Sequence, residues 1–175
     1  MTNQSIIFLN GAPGSGKSTL AQAFAETLPK SVMLDADFIR TQIVGGRVRL
    51  QREDPKEFVR QRLLAAKAVI AQTRLFYRAG YSVIIVSMTH TSPVLKLYFP
   101  GLEKIGITKK VLLTPSKEVL YIRDKERPEF KHTPEKALNE FYEHFNSPAY
   151  SDWVRLDTSN QTVEESVKSL IALTD

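Results

Sequence analysis

The chain has 175 residues, 42% hydrophobic and 25% charged, with 24 basic against 19 acidic side chains and a formal charge of +5. That length suits one unit able to bury a proper core, so residues 1–175 are expected to form a single domain. The composition excludes a low-complexity chain, no apolar run nears membrane-span length, and the absence of cysteine excludes disulfides and thiolate metal sites.

Met1 to Ser5 lacks the basic region and long apolar stretch of a signal peptide, and with no cysteine a cytoplasmic location is expected. Ile6 to Leu9 then reads as a strand. It leads into Gly11-Ala12-Pro13-Gly14-Ser15-Gly16-Lys17-Ser18, which satisfies every fixed position of the phosphate-binding loop G-x-x-x-x-G-K-[ST]. Four fixed positions coincide by chance in roughly one chain of this length in 200, and a strand before with a helix after makes the coincidence rarer. Glycine at 11, 14 and 16 lets successive N–H groups turn inward toward phosphate oxygens, and the helix that follows offers unpaired N–H groups at its positive end. Lys17 supplies mobile positive charge for the β- and γ-phosphates, and the Ser18 hydroxyl can ligate Mg²⁺. Gly11 to Thr19 are therefore the candidate nucleotide-binding residues, and ATP with Mg²⁺ is the expected ligand pair.

The helix after the loop carries Leu20, Phe24 and Leu28 as one buried stripe. A second strand, Val32 to Leu34, runs into Asp35-Ala36-Asp37-Phe38-Ile39-Arg40. Ligands of open parallel sheets bind beyond the carboxyl ends of the strands, so these residues are candidates for chemistry. Asp35 and Asp37 can hold Mg²⁺ through water, and Asp37 can accept a proton from an attacking hydroxyl. Arg40, one helical turn on, can orient an acceptor; the structural role open to Asp37 is to cap that helix. Basic residues then bunch at Arg47, Arg49, Arg52, Arg60 and Arg62, which suits an anionic substrate or a solvated face equally.

A long helix is predicted from about Pro55 to Ala79, with Val59, Leu63, Ala66 and Ile70 inward. The strand Ser82 to Val86 follows and runs into Ser87, where many phosphate-binding-loop proteins carry a metal-holding aspartate. Metal binding is thus expected from Ser18, the phosphates, water and Asp35 or Asp37. Lys110 to Leu113 is the fourth strand, and a helix starts near Ser116. Arg123-Asp124-Lys125-Glu126-Arg127-Pro128 reads as the start of a lid over roughly 123–134, bringing Arg123 and Arg127 to developing phosphoryl charge. Thr133 is expected to cap a helix carrying Leu138, Phe141, Tyr142 and Phe145 until Pro148. Trp153 to Leu156 is the last strand, and Thr162 with Glu165 forms a capping box for the final helix. His90, His132 and His144 are too scattered for a zinc set and are expected at the surface or at caps. Alternating strands and helices of this kind give an α/β fold with a parallel sheet.

These motifs resemble those of small P-loop kinases, a group that contains adenylylsulfate kinases, polynucleotide 5′-hydroxyl kinases and chloramphenicol phosphotransferases. Leu34-Asp35-Ala36-Asp37-Phe38-Ile39-Arg40 is similar to the Leu-Asp-Gly-Asp-Asn-x-Arg of adenylylsulfate kinases. So are Ala79-Gly80 leading through a strand to Ser87, and Thr114-Pro115-Ser116-Lys117-Glu118-Val119 with Arg123-Asp124 behind it. The resemblance implies a three-layer αβα sandwich on a five-stranded parallel sheet of order 2-3-1-4-5, Asp37 as general base and a helical lid. Asp54-Pro55-Lys56-Glu57-Phe58-Val59-Arg60-Gln61 departs from the Asp-Arg-x-Glu-Asn-x-Arg-Arg acceptor stretch of adenylylsulfate kinases, while Arg123 and Arg127 are spaced like the lid arginines of polynucleotide kinases.

The expected activity is transfer of the γ-phosphoryl group of ATP to a hydroxyl of a small molecule or nucleotide, an anionic one being favoured by the arginines. Lys17, Asp37, Arg40, Arg123 and Arg127 are the candidate catalytic set. Polynucleotide 5′-hydroxyl kinase, with nucleic acid as partner, and adenylylsulfate kinase are the alternatives within the class. A nucleotide-binding regulator without an acceptor is the alternative outside it. Specificity is expected in the loops Gly45 to Asp54 and Thr89 to Pro93.

Overall fold

A computed structural model describes residues 4–48, 53–90, 92–106 and 108–174. Five parallel strands, β1 (Ile6–Gly11), β2 (Ser31–Asp35), β3 (Ser82–Val86), β4 (Thr108–Leu113) and β5 (Val154–Leu156), form one sheet in the order β2-β3-β1-β4-β5. β1 pairs with β3 from Ile6↔Val83 to Leu9↔Val86, and with β4 from Ile6↔Thr108 to Gly11↔Leu113. Every residue of β1 and β3 is buried, as expected for parallel strands covered on both faces.

Alternate residues of those strands feed two cores. Ile6, Phe8, Val83, Ile85 and Leu112 face one side. There they meet α3 (Pro55–Arg78), α4 (Ser92–Glu103), α5 (Lys117–Lys125) and α6 (Glu135–Phe145). Phe8 anchors this side, its ring 4.9 Å from Tyr98 and 5.9 Å from Trp153, both edge-on. Ile7, Leu9, Ile84, Val86 and Leu113 face the other side, against α1 (Lys17–Glu26) and α7 (Val163–Thr174). The result is the expected layered α/β arrangement, with the carboxyl ends of β1, β2 and β3 converging on one edge.

Several local expectations change. α3 is rolled relative to the anticipated stripe, because its fully buried positions include Phe58, Arg62, Ala65, Ala66, Val69 and Thr73, while Val59, Leu63 and Ile70 are half-buried. α4 was not anticipated, since Pro93 and Pro100 obscure its pattern, yet Val94, Tyr98 and Leu102 recur every fourth residue and are buried. Thr133 does not cap α6, whose N-cap is Pro134; its N–H and hydroxyl turn to Asp124 instead. α1 ends at Glu26, so Leu28 packs from beyond the helix. The capping box at α7 is formed, Thr162 N–H donating to Glu165 at 2.8 Å and Glu165 N–H to Thr162 Oγ1 at 3.2 Å.

Candidate active site

The loop between β1 and α1 is shaped by its glycines. Gly11, Gly14 and Gly16 have φ of 145°, 76° and 90°, a region that side chains with a β-carbon rarely enter. Close approach adds to this at two of them. A β-carbon on Gly11 would lie 2.7 Å from the Leu113 carbonyl oxygen, and one on Gly14 would lie 3.1 Å from that of Leu120. Gly16 precedes α1 without any side-chain cap, so the first N–H groups of the helix remain available to an anion.

Lys17 is buried and folds back over the loop, its Nζ donating to the Gly11 and Ala12 carbonyls at 2.9 and 2.7 Å and to Ser15 Oγ at 3.3 Å. Burial brings its pKa down to about 8, against the opposing pull of Asp37 and with further lowering by the charge of Arg127. Gly11 and Ala12 therefore serve as the seat of the lysine. They lie beneath the cleft, whereas Pro13, Gly14, Ser15, Gly16, Lys17, Ser18 and Thr19 line it. Asn10, which the sequence pattern does not mark, is fully buried and accepts from Gly11 N–H at 2.9 Å and Thr89 N–H at 3.0 Å, while donating to Thr89 O at 2.9 Å. It ties the phosphate-binding loop to the segment after β3.

At the end of β2 the two aspartates divide the work differently from expectation. Asp35 is the N-cap of the short helix α2 (Ala36–Thr41), its Oδ1 accepting from Asp37 N–H at 2.9 Å and Phe38 N–H at 3.0 Å. Asp37 is thereby relieved of capping. Its Oδ2 accepts from Met88 N–H at 3.4 Å, and its Oδ1 lies 3.6 Å from Arg62 Nη1. Arg40 donates to Val48 O at 3.0 Å and rests 5.3 Å over the Phe58 ring, which Arg62 also approaches at 5.8 Å.

Arg62 is the functional candidate that the motif search passed over. Only 5% exposed, it donates to Met88 O at 2.6 Å, and its Nε and that of Arg40 are buried with no hydrogen-bond partner among the described residues. The one available signal was its place in the basic bunch, which now separates into unlike parts. Arg62 points inward, Arg60 pairs with Glu57 on the exposed face, Arg47 reaches Thr41 O, and Arg49 and Arg52 lie outside the described residues.

From the far side come Arg123 and Arg127. Arg123 is fixed by Thr158 through Oγ1 at 2.9 Å and the carbonyl at 2.8 Å, close above Gly16. Arg127 pairs with Asp124 at 2.5 Å. Contrary to expectation, His90 and His144 meet, their rings 5.8 Å apart and both lining the cleft with Phe141. His90 is held neutral, its pKa down to about 4 through burial and the neighbouring Arg62 charge.

One cleft of about 1500 Å³ takes in the phosphate-binding loop, Asp35, Asp37, Arg40, Arg62, Arg123 and Arg127. Its cationic loop side suits a polyphosphate, and its opposite wall of Asp37, Arg62, Phe58 and His90 suits a second, smaller molecule. No three His, Asp or Glu side chains among the described residues gather into a metal site. The exposed Ser18 and the Asp35 oxygen outside the cap nevertheless fit a magnesium ion carried in with phosphates and water.

Residues 6–148 match the family described as AAA domain. A probable adenylyl-sulfate kinase of Aeropyrum pernix is 28% identical over 179 residues, covering 96% of this chain and 91% of the relative. Among solved structures, the tunicamycin resistance protein of Deinococcus radiodurans aligns at a TM-score of 0.73 and 16% identity, covering 98% of this chain and 96% of that one. Shikimate kinase of Acinetobacter baumannii aligns at 0.65 and 19%, covering 98% and 93%. With the matched stretch running from β1 past the end of α6, the chain belongs to the AAA domain family, within the small P-loop kinase group.

Proposed function

We propose that this protein transfers the γ-phosphoryl group of ATP to a hydroxyl of a small-molecule acceptor, with Asp37 as general base. The observation that carries the reading is the placement of Asp37, uncapped and 40% exposed, on the same cleft as Lys17 and the loop amides. The acceptor hydroxyl oxygen attacks the γ-phosphorus, the bond from that phosphorus to the oxygen bridging it to the β-phosphate breaks, and the hydroxyl proton passes to the Asp37 carboxylate. Lys17, Arg123 and Arg127 offset the charge gathering on the transferred group and on ADP. Bound magnesium supplies further charge neutralisation across the β- and γ-oxygens. Ser18 and Asp35 would hold it. Closure of the segment 123–134 over the phosphates excludes water, which limits wasteful hydrolysis.

On the acceptor side, Arg62 and Arg40 stacked on Phe58 favour an acceptor bearing an anionic group. The similar proteins named an adenylyl-sulfate kinase and a shikimate kinase carry names of anionic substrates, which supports this choice. The test supplies Mg·ATP with shikimate, gluconate, adenylyl sulfate and a 5′-hydroxyl oligonucleotide in turn, and follows ADP and phosphorylated product. Asp37→Asn should lower transfer to the accepted substrate by roughly 100-fold or more while leaving ATP affinity within about threefold. Undiminished transfer in that variant removes Asp37 from the mechanism.

A further inference from the structure

Asp124 has no part in the mechanism above, yet it is a 3% exposed carboxylate beside the phosphate-binding loop. A buried carboxylate is costly unless it is paired and hydrogen-bonded, so its partners indicate what it is for. There are two. Arg127 Nη1 donates to its Oδ1 at 2.5 Å, and Thr133 donates to it twice, N–H to Oδ2 at 2.8 Å and Oγ1 to Oδ1 at 3.1 Å. These partners stand near the beginning and at the end of the segment that carries Pro128 and the short helical turn Glu129–Lys131. The Asp124 backbone also touches the loop, since a β-carbon added to Gly14 would lie 3.3 Å from Asp124 N and 3.4 Å from its Cβ.

One carboxylate thus joins the phosphate-binding loop, the base of the lid and the lid arginine. We propose that Asp124 is a positioning residue: it clamps one edge of the Arg127 guanidinium so that its other donors face the phosphates, and it transmits occupancy of the loop to closure of 126–132. The proposal rests on reading the cleft as a triphosphate site. A guanidinium is planar and carries five N–H donors, so a single Nη1 contact fixes its plane while leaving the rest to engage an anion. Arg127 is about one-third exposed and lines the cleft, as that task requires. Its charge is also felt at Lys17, which places both cations around one phosphate position. His132 closes the same turn through its Nε2 contact with Arg127 O at 2.7 Å, so the segment moves as a unit.

The experiment compares the full chain with Asp124→Asn, Arg127→Ala and the double variant. Calorimetry measures binding of Mg²⁺ with adenosine 5′-(β,γ-imido)triphosphate, and hydrogen–deuterium exchange follows residues 126–132. In the unaltered protein the nucleotide should slow exchange there by roughly tenfold. Asp124→Asn should lose most of that protection while binding the nucleotide within about threefold and keeping β1 and β3 amides protected. The double variant should turn over ATP no more slowly than Arg127→Ala alone, because Asp124 acts through that side chain. Asp124→Glu, which retains the charge, should restore part of the closure. Full protection in Asp124→Asn, or additive losses in the double variant, overturns the proposal. If Asp124→Asn does not fold, Arg127→Ala decides, since it leaves Asp124 its Thr133 bonds: unchanged protection there overturns the proposal. Absence of any binding heat in the unaltered protein overturns the triphosphate reading and this one with it, whereas binding without lid protection overturns only this one.

Discussion

Lys17 should take up a proton when a nucleoside triphosphate binds. With its pKa held at about 8 by burial, the free protein carries it about half charged at pH 8, about one-tenth charged at pH 9 and almost fully charged at pH 7. A polyphosphate beside Nζ supplies the counter-charge that the interior lacks and returns the pKa toward its ordinary 10.5. Binding therefore draws in about half a proton at pH 8 and about nine-tenths at pH 9. The full shift corresponds to about 3 kcal/mol of coupling, so affinity should fall nearly tenfold per pH unit above 8 until the bound form itself titrates. Titration calorimetry in buffers of different ionisation enthalpy reads the uptake directly, and the magnesium–triphosphate complex has lost its own last proton in this range. Lys17→Met should bind more weakly and take up none. A pH-independent affinity between 7 and 10, or equal uptake in Lys17→Met, refutes the burial argument.

The same shift has a sign for stability without nucleotide. Because the unfolded chain keeps Lys17 protonated between about 8 and 10.5 while the fold does not, stability should rise with pH across that window, most clearly below about 10. Above that, Tyr150, pushed up to about 12 by burial, works in the opposite direction; thermal melts of the protein and Lys17→Met separate the two. His90 runs the other way on the acid side: neutral in the fold down to about 4 but charged in the unfolded chain below 6.5, it should cost stability as pH falls from 6.5 to 4, and His90→Asn should soften that loss in melts at pH 5. Gly11→Ala forces a β-carbon at φ 145° to within 2.7 Å of the Leu113 carbonyl, for about 3 kcal/mol and a melting point lower by roughly 6–12 °C. Asp35→Ala, which removes the cap of α2, should cost about 1 kcal/mol by denaturant titration.

The phosphate-binding loop was legible because its chemistry is local: the glycines, Lys17 and the strand and helix on either side all fall within one short stretch. The sheet was legible for a similar reason, since buried parallel strands such as Ile6–Leu9 and Ser82–Val86 are apolar throughout. What escaped depended on tertiary contact. Asn10 has no periodic signal and matters only because Thr89 lies beside it in the fold. Arg62 reads as one more basic residue until α3 turns it inward beneath Asp37, and a buried guanidinium contradicts every hydropathy expectation. His90 and His144 are brought together by packing of α6 against the segment after β3, which no spacing rule anticipates. Asp35 and Asp37 were both visible as candidates, but which one caps and which one faces the cleft follows from the strand ending at Asp35, a boundary finer than pattern reading resolves.

The arrangement of the triphosphate between the loop and Asp37 is tested most directly by a crystal structure with Mg²⁺ and adenosine 5′-(β,γ-imido)triphosphate. The account predicts β-phosphate oxygens hydrogen-bonded to main-chain N–H groups between Gly14 and Ser18, Lys17 Nζ transferred from the Gly11 and Ala12 carbonyls to the phosphates, and the terminal phosphoryl group facing Asp37. Phosphates seated elsewhere, or a terminal group directed away from Asp37 with Lys17 still on its carbonyls, would contradict it.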